Sequence, residues 1–148
     1  MQKHPKHDED LYGWAINTAS LLKQKKYHEV DMLTVIQELQ EMGASNKHEL
    51  KNRLAQLIFH LLKWQLQPDF REISKRSWQN SIMEQRYQIK DILEESPSLK
   101  PIIKEVIKKA YRLSFSYLGK ETPIDLKRLP KECPYTFEQL LNEEFFPE

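Results

Sequence analysis

Residues 49–66 read ELKNRLAQLIFHLLKWQL, and this stretch decides the fold. On a helical wheel, Leu50, Leu54, Leu57, Ile58, Leu61, Leu62, Trp64 and Leu66 cover well over half the circumference toward its C-terminal end. An apolar arc that wide needs neighbours on more than one side. The stretch is therefore predicted to be the central helix of a bundle, starting at Ser45 or Asn46 and ending before Pro68.

Moving outward, proline and glycine punctuate the chain into further helical blocks. Asp8 is placed to cap a first helix to about Tyr27, with Leu11, Trp14, Leu21 and Leu22 as its stripe. A second helix is expected from about Glu29 to Met42. Met32, Val35, Ile36 and Leu39 would line one face, and Gly43 is a plausible stop. Beyond Pro68, a fourth helix is predicted from about Ser74 to Glu95, with Trp78, Ile82, Ile89, Ile92 and Leu93 facing inward and Pro97 ending it. A fifth follows from about Ser98 to Leu118, with Pro101 in its first turn and Gly119 closing it. Residues 119–148 hold Pro123, Pro130, Pro134 and Pro147 and read as a tail that docks on the bundle. Thr136 and Gln139 form a capping-box pattern, with Tyr135 and Leu140 as its staple.

The expected fold is all-α. It is a single helical domain over residues 1–148, of about five main helices plus a short C-terminal helix, with residues 1–7 frayed. Composition agrees. A chain of 148 residues is one domain's worth, and only 3 glycines exclude a β-rich fold full of tight turns. The one cysteine, Cys133, excludes an internal disulfide framework. No apolar run is long enough for a membrane span, and MQKHPKHDED carries no signal-peptide core, so a soluble, cytoplasmic protein is expected. With 23 basic and 22 acidic residues the net charge is +1, which argues against a general nucleic-acid binder. The sum hides segregation. Residues 99–131 carry nine Lys+Arg and three Asp+Glu, a local +6; residues 132–148 carry five Glu and no base, a local −5. Lys104, Lys108 and Arg112 recur every four residues as a candidate anion-binding face, although a charge run on a helix is usually a solvated face.

Several side chains invite a chemical reading. Arg53 and His60 lie two turns apart on nearly one line of the central helix. Their spacing resembles the Arg-x6-His motif of helical HEPN-type ribonucleases, in which Arg and His act on RNA phosphate. The resemblance is confined to these two residues, and Leu54 stands where that family has a polar residue. The ordinary alternative is a satisfied histidine and arginine at the rim of the core. Gln85 falls inside an apolar stripe and needs partners; a polar core network with Glu38 and His60 is the expectation. Glu38, His60 and Glu84 would be the choice for metal ligands, but no Glu-x-x-His pair marks a dimetal bundle, and no metal or other cofactor is expected. His4 and His7 have ligand-like spacing in a polar terminus. Cys133 shows neither a base nor a reason for a lowered pKa, so a packing role is expected.

The order of landmarks carries more than any single motif. Leu11-Tyr12-Gly13-Trp14-Ala15 is followed by Val30-Asp31, Ile36-Gln37-Glu38-Leu39 and Gly43. Then come His60-Leu61-Leu62-Lys63-Trp64-Gln65, Gln67-Pro68, Ser77-Trp78, Gln85-Arg86, Pro97-Ser98-Leu99, Tyr111, Glu121-Thr122 and Cys133-Pro134-Tyr135. From about residue 8 to 147 the chain resembles the bacterial domain-of-unknown-function family 29. The resemblance implies a single-domain helical bundle and no established activity, cofactor or substrate. It marks His60, Lys63, Trp64, Trp78, Gln85 and Arg86 as motif positions. Gln37 departs from the acidic residue expected beside Glu38, which weakens a carboxylate site there. Trp64 and Trp78 read as core anchors.

The functional expectation is a non-enzymatic interaction or regulatory module with a protein partner or a second copy, and no membrane. The alternative is a nuclease-like enzyme acting on RNA through Arg53 and His60.

Overall fold

The computed structural model describes residues 3–148. It is all-α, with no strand among those residues. Four long helices, α1 (Leu11–Lys23), α2 (Met32–Leu66), α3 (Pro68–Glu95) and α4 (Ile103–Glu121), are followed by the short α5 (Phe137–Leu141). Single-turn 3-10 segments lie at Tyr27–Glu29 and Leu126–Arg128, and a longer one at Pro97–Ile102.

One expected boundary is absent. The predicted second and third helices are the single 35-residue helix α2, running through Gly43. A glycine stops a helix when it takes the left-handed conformation, and no glycine here has positive φ. Open space surrounds the position where a Cβ would sit at Gly43, so nothing there breaks the ladder. A helical glycine costs only about 1 kcal/mol relative to alanine, which flanking residues offset. The bundle therefore has four long helices rather than five. Two further edges differ. Pro68 opens α3 at its first position rather than only ending the helix before it. Likewise α4 passes through Gly119 to Glu121.

The chain divides into two compact units, Met1–Ala44 and Ser45–Glu148. In the N-terminal unit Asp10, not Asp8, caps α1, its Oδ1 accepting from the Gly13 amide at 2.9 Å. The helix ends in a Schellman turn. The Lys26 amide donates to the Leu21 carbonyl at 2.9 Å and that of Lys25 to Leu22 at 3.0 Å. Lys25 takes the left-handed conformation at φ 62°. Asp31 starts α2, accepting from the Thr34 hydroxyl at 2.6 Å and amide at 3.3 Å, and these bonds hold its carboxyl below its usual pKa. Met1 and Gln2, part of the terminus expected to fray, lie outside the described residues. Residues 4 and 7 do make contacts: His4 Nε2 is 3.5 Å from the Glu29 carboxylate, and His7 pairs with Glu38.

The C-terminal unit holds the core. Leu50, Leu54, Leu57, Ile58 and Leu61 of α2 are fully buried. They pack with Ile82 and Ile89 of α3, with Val106, Ala110, Tyr111 and Leu118 of α4, and with Leu140 of α5. The wide apolar arc of residues 49–66 is filled from several sides, as its width requires. Trp64 and Trp78 are buried as well.

Candidate functional site

Five landmark residues of the C-terminal unit, Trp64, Gln65, Arg86, Tyr111 and Tyr135, share one task. They hold the segment 130–146 against α2, α3 and α4. Arg86 of α3 is only 1% exposed and commits its guanidinium to backbone. Nε donates to the Leu140 carbonyl at 2.7 Å, and Nη2 donates to the carbonyls of Phe145 at 2.8 Å and Gln139 at 3.2 Å. Carbonyls at the end of α5 lack helical partners, so a buried guanidinium is a matching donor. Burial pushes its pKa down to about 10, and it stays cationic at neutral pH. Its face lies over the Phe146 ring at 5.6 Å, and Phe146 stacks on Trp64 at 4.8 Å.

The neighbouring motif residues join in. Tyr135 of the Cys133-Pro134-Tyr135 element donates its hydroxyl to Gln65 Oε1 at 2.8 Å, and burial raises its pKa. The Tyr111 hydroxyl donates to the Pro130 carbonyl at 2.6 Å, and burial lifts it to about 12. Thr136 caps α5 in a reciprocal capping box with Gln139. Lys63 places its ammonium 4.3 Å from the Phe59 ring and 5.1 Å from that of Trp78. Burial lowers its pKa, while Glu121 opposes the shift.

The candidate catalytic and network residues take separate partners. Arg53 faces Glu49 at 3.8 Å on its own helix. His60 Nδ1 donates to the Gln56 carbonyl at 2.8 Å, which fixes the tautomer, and its ring packs edge-on against Phe59. Burial chiefly, helped by Lys63, lowers its pKa against the opposing pull of the Gln56 carbonyl and Glu121, so the ring is neutral at pH 7. The predicted Glu38–His60–Gln85 network takes another form. Glu38 bonds His7 in the N-terminal unit, His60 bonds its own helix, and the buried Gln85 Oε1 has no partner among the described residues. Polarity alone would have each group seek the others; His7, within the same unit, takes Glu38, and a carbonyl one turn back on its own helix takes His60. Arg86 Nη1 is likewise buried without a partner. Lys104, Lys108 and Arg112 are exposed on α4. The acidic tail's ion pair runs instead from Glu143 to Lys90 of α3, at 3.2 Å. Burial raises the Cys133 pKa, which keeps it a thiol and disfavours a nucleophilic role. Among the described residues no group of three or more His, Cys, Asp or Glu is arranged to hold a metal ion.

The N-terminal unit presents two surfaces. One is an open cleft of about 480 Å³ lined by His4, His7, Trp14, Glu29, Asp31 and Thr34, where His7 meets Trp14 edge-on at 4.8 Å. The other is apolar. Leu11, Tyr12 and Ile16 on α1 and Leu33, Ile36, Leu39 and Met42 on α2 are all about half or more exposed. Periodicity assigns Leu11, Met32, Ile36 and Leu39 to core-facing stripes, and the fold leaves all four exposed. Among the described residues of this unit only Thr18 and Leu21 are buried. A sequence signal for the exposed face does exist: residues 11–22 contain no charged side chain.

An all-α bundle whose C-terminal segment is clasped by a buried arginine is the class that this geometry defines. The sequence profile of the family described as "Domain of unknown function DUF29" matches residues 7–146, nearly the whole chain, and the protein belongs to that family. Neither the curated proteins nor the solved structures yield a match.

Proposed function

We propose that the protein is a non-enzymatic protein-interaction module, acting through the apolar face of its N-terminal unit. The observation that carries this reading is the cluster of Leu11, Tyr12, Ile16, Leu33, Ile36, Leu39 and Met42 left exposed on two adjoining helical segments. Monomeric proteins seldom leave a contiguous apolar surface of this kind uncovered. The motif side chains support the reading from the other direction. Arg86, Tyr135, Gln65 and Trp64 are committed to holding the tail, and the RNA-acting alternative gains little from Arg53 and His60, whose bonds run along their own helix. The same reading puts the protein in the bacterial cytoplasm, with which the single free Cys133 is in keeping. No helix of the described residues is long and apolar enough to cross a membrane.

Photo-crosslinking in cells tests the reading. A benzoylphenylalanine at Tyr12 or Leu33 is expected to yield adducts heavier than the chain, and one at Ile73 of the C-terminal unit is not. No adduct from either N-terminal position would end the proposal.

A further inference from the structure

We infer that the partner at this face is a second copy of the chain, paired about a two-fold axis through α1 and the first part of α2. The inference rests on the interaction-module reading and specifies its partner.

The two segments run in opposite directions. His7, before α1, meets Glu38, whereas Leu21, near the end of α1, lines the cleft with Asp31 and Thr34. On α1, Leu11, Ala15, Ala19 and Tyr12 lie about 50° to 150°, in the direction of winding, from the mean direction of Thr18 and Leu21, which face the cleft. On α2, Met42, Leu39 and Met32 lie about 60° to 140°, in the same winding sense, from Thr34 and Glu38. In a pair of opposed helices equal offsets of that kind fall on one side. Those residues therefore form one surface, and Ile16, Leu33 and Ile36 lie round from it on the outer side of the pair.

That surface has the marks of a helix–helix interface. Met32, Val35, Leu39 and Met42 follow the 3-4-3 spacing of a coiled-coil seam. The pattern ends inside the unit, because the next two positions are Asn46 and Glu49. Ala15 and Ala19, both exposed on α1, are small enough to let a facing backbone approach. Residues 11–22 are uncharged, and charge depletion is what distinguishes the centre of an interface from ordinary surface. The exposed parts of Leu11, Tyr12, Met32, Leu39 and Met42 amount to roughly 600 Å², approaching the roughly 800 Å² that each partner contributes to a standard interface. A two-helix unit that, among its described residues, buries only Thr18 and Leu21 lacks a core of its own, and two such pairs placed face to face make a four-helix bundle that supplies one.

Sedimentation velocity of the full chain from about 1 to 100 µM tests this, a range that brackets ordinary dimer affinities. The expected result is a dimer whose fraction rises with concentration. Tyr12→Glu and Leu39→Glu, at positions 80% and 60% exposed, should each weaken association at least tenfold while leaving the far-ultraviolet circular dichroism unchanged. Ile73→Glu, 86% exposed in the other unit, should sediment like the parent. A parent chain that stays monomeric throughout, or a dimer that survives both N-terminal substitutions, overturns the inference. A monomer that still gives crosslinked adducts from Tyr12 removes the second copy and leaves the interaction module standing.

Discussion

The two compact units of this chain are built from similar helices and held by different means. In the C-terminal unit Leu50, Leu54, Leu57, Ile58 and Leu61 have no exposed surface at all. In the N-terminal unit helix caps and the pairs His4–Glu29 and His7–Glu38 hold segments together, while Leu33 is 76% exposed. The difference lies in the width of the apolar arc. A wide arc draws in several neighbours and closes a core. A narrower one on a short helix pair is left facing outward and becomes a surface. One continuous helix, α2, takes both forms along its length.

The sharpest way to break this comparison is truncation. Leu57→Ala and Leu61→Ala remove fully buried side chains and should each lower stability by roughly 2–5 kcal/mol. Leu33→Ala should shift it by no more than about 0.5 kcal/mol. Urea unfolding followed by circular dichroism at low protein concentration measures both. A cost at Leu33 matching that at Leu57 would erase the distinction between the units.

Arg86 supplies the next largest effect. Arg86→Met leaves the carbonyls of Gln139, Leu140 and Phe145 without their donor and removes a charge-assisted set of bonds, at a cost of roughly 2–4 kcal/mol. Lys in its place has the charge without the planar fork and should recover less than half of that loss. Hydrogen exchange of residues 137–146 should accelerate in both variants, and an unchanged rate would mean that the tail is held by its apolar groups alone.

Much of this division is legible in the order of residues alone, and the reasons it is partial are physical. The arc of residues 49–66 marks the central helix, and Thr136 with Gln139 marks the last one, because both signals are local. Gly43 misleads because glycine permits a left-handed stop without requiring one. Arg86 stands out as a motif position, yet its partners are backbone carbonyls more than fifty residues away, which no spacing rule encodes. Glu38, His60 and Gln85 group together on polarity alone, and nearer partners take Glu38 and His60. The stripes that hold Leu11 on α1 and Ile36 and Leu39 on α2 have the period of a buried face. Period tells which side of a helix is apolar, not whether anything covers it.

The pH response should mark the C-terminal unit. Burial holds the His60 pKa below its ordinary value, so the unfolded chain binds a proton more readily than the folded one. The neutral ring's contribution is present above the unfolded pKa, near 6.5, and is lost as pH falls through the folded value. The C-terminal unit should therefore weaken as pH falls from about 7.5 through the unfolded and then the folded value, and His60→Gln should flatten that slope. A C-terminal unit whose unfolding midpoint is flat over this window, or whose slope survives His60→Gln, would show that burial of this ring carries no proton linkage.

The smallest effect lies at the end of α1. Lys25 holds the left-handed conformation at φ 62°, where a Cβ is crowded by its own backbone, because the Schellman turn needs a residue there to return the Lys26 amide to Leu21. The exposed side chain of Lys25 makes no ion pair among the described residues that would offset the strain. Lys25→Gly relieves it at the cost of a more flexible unfolded chain, and the balance should favour the variant by about 0.5–1 kcal/mol. The gain should register only in the N-terminal unit, as slower hydrogen exchange over residues 14–22, with rates in α3 and α4 unchanged. Protection rising equally in both units would mean that they open together, and the contrast between a self-sufficient core and a capped helix pair would then describe packing alone and not stability.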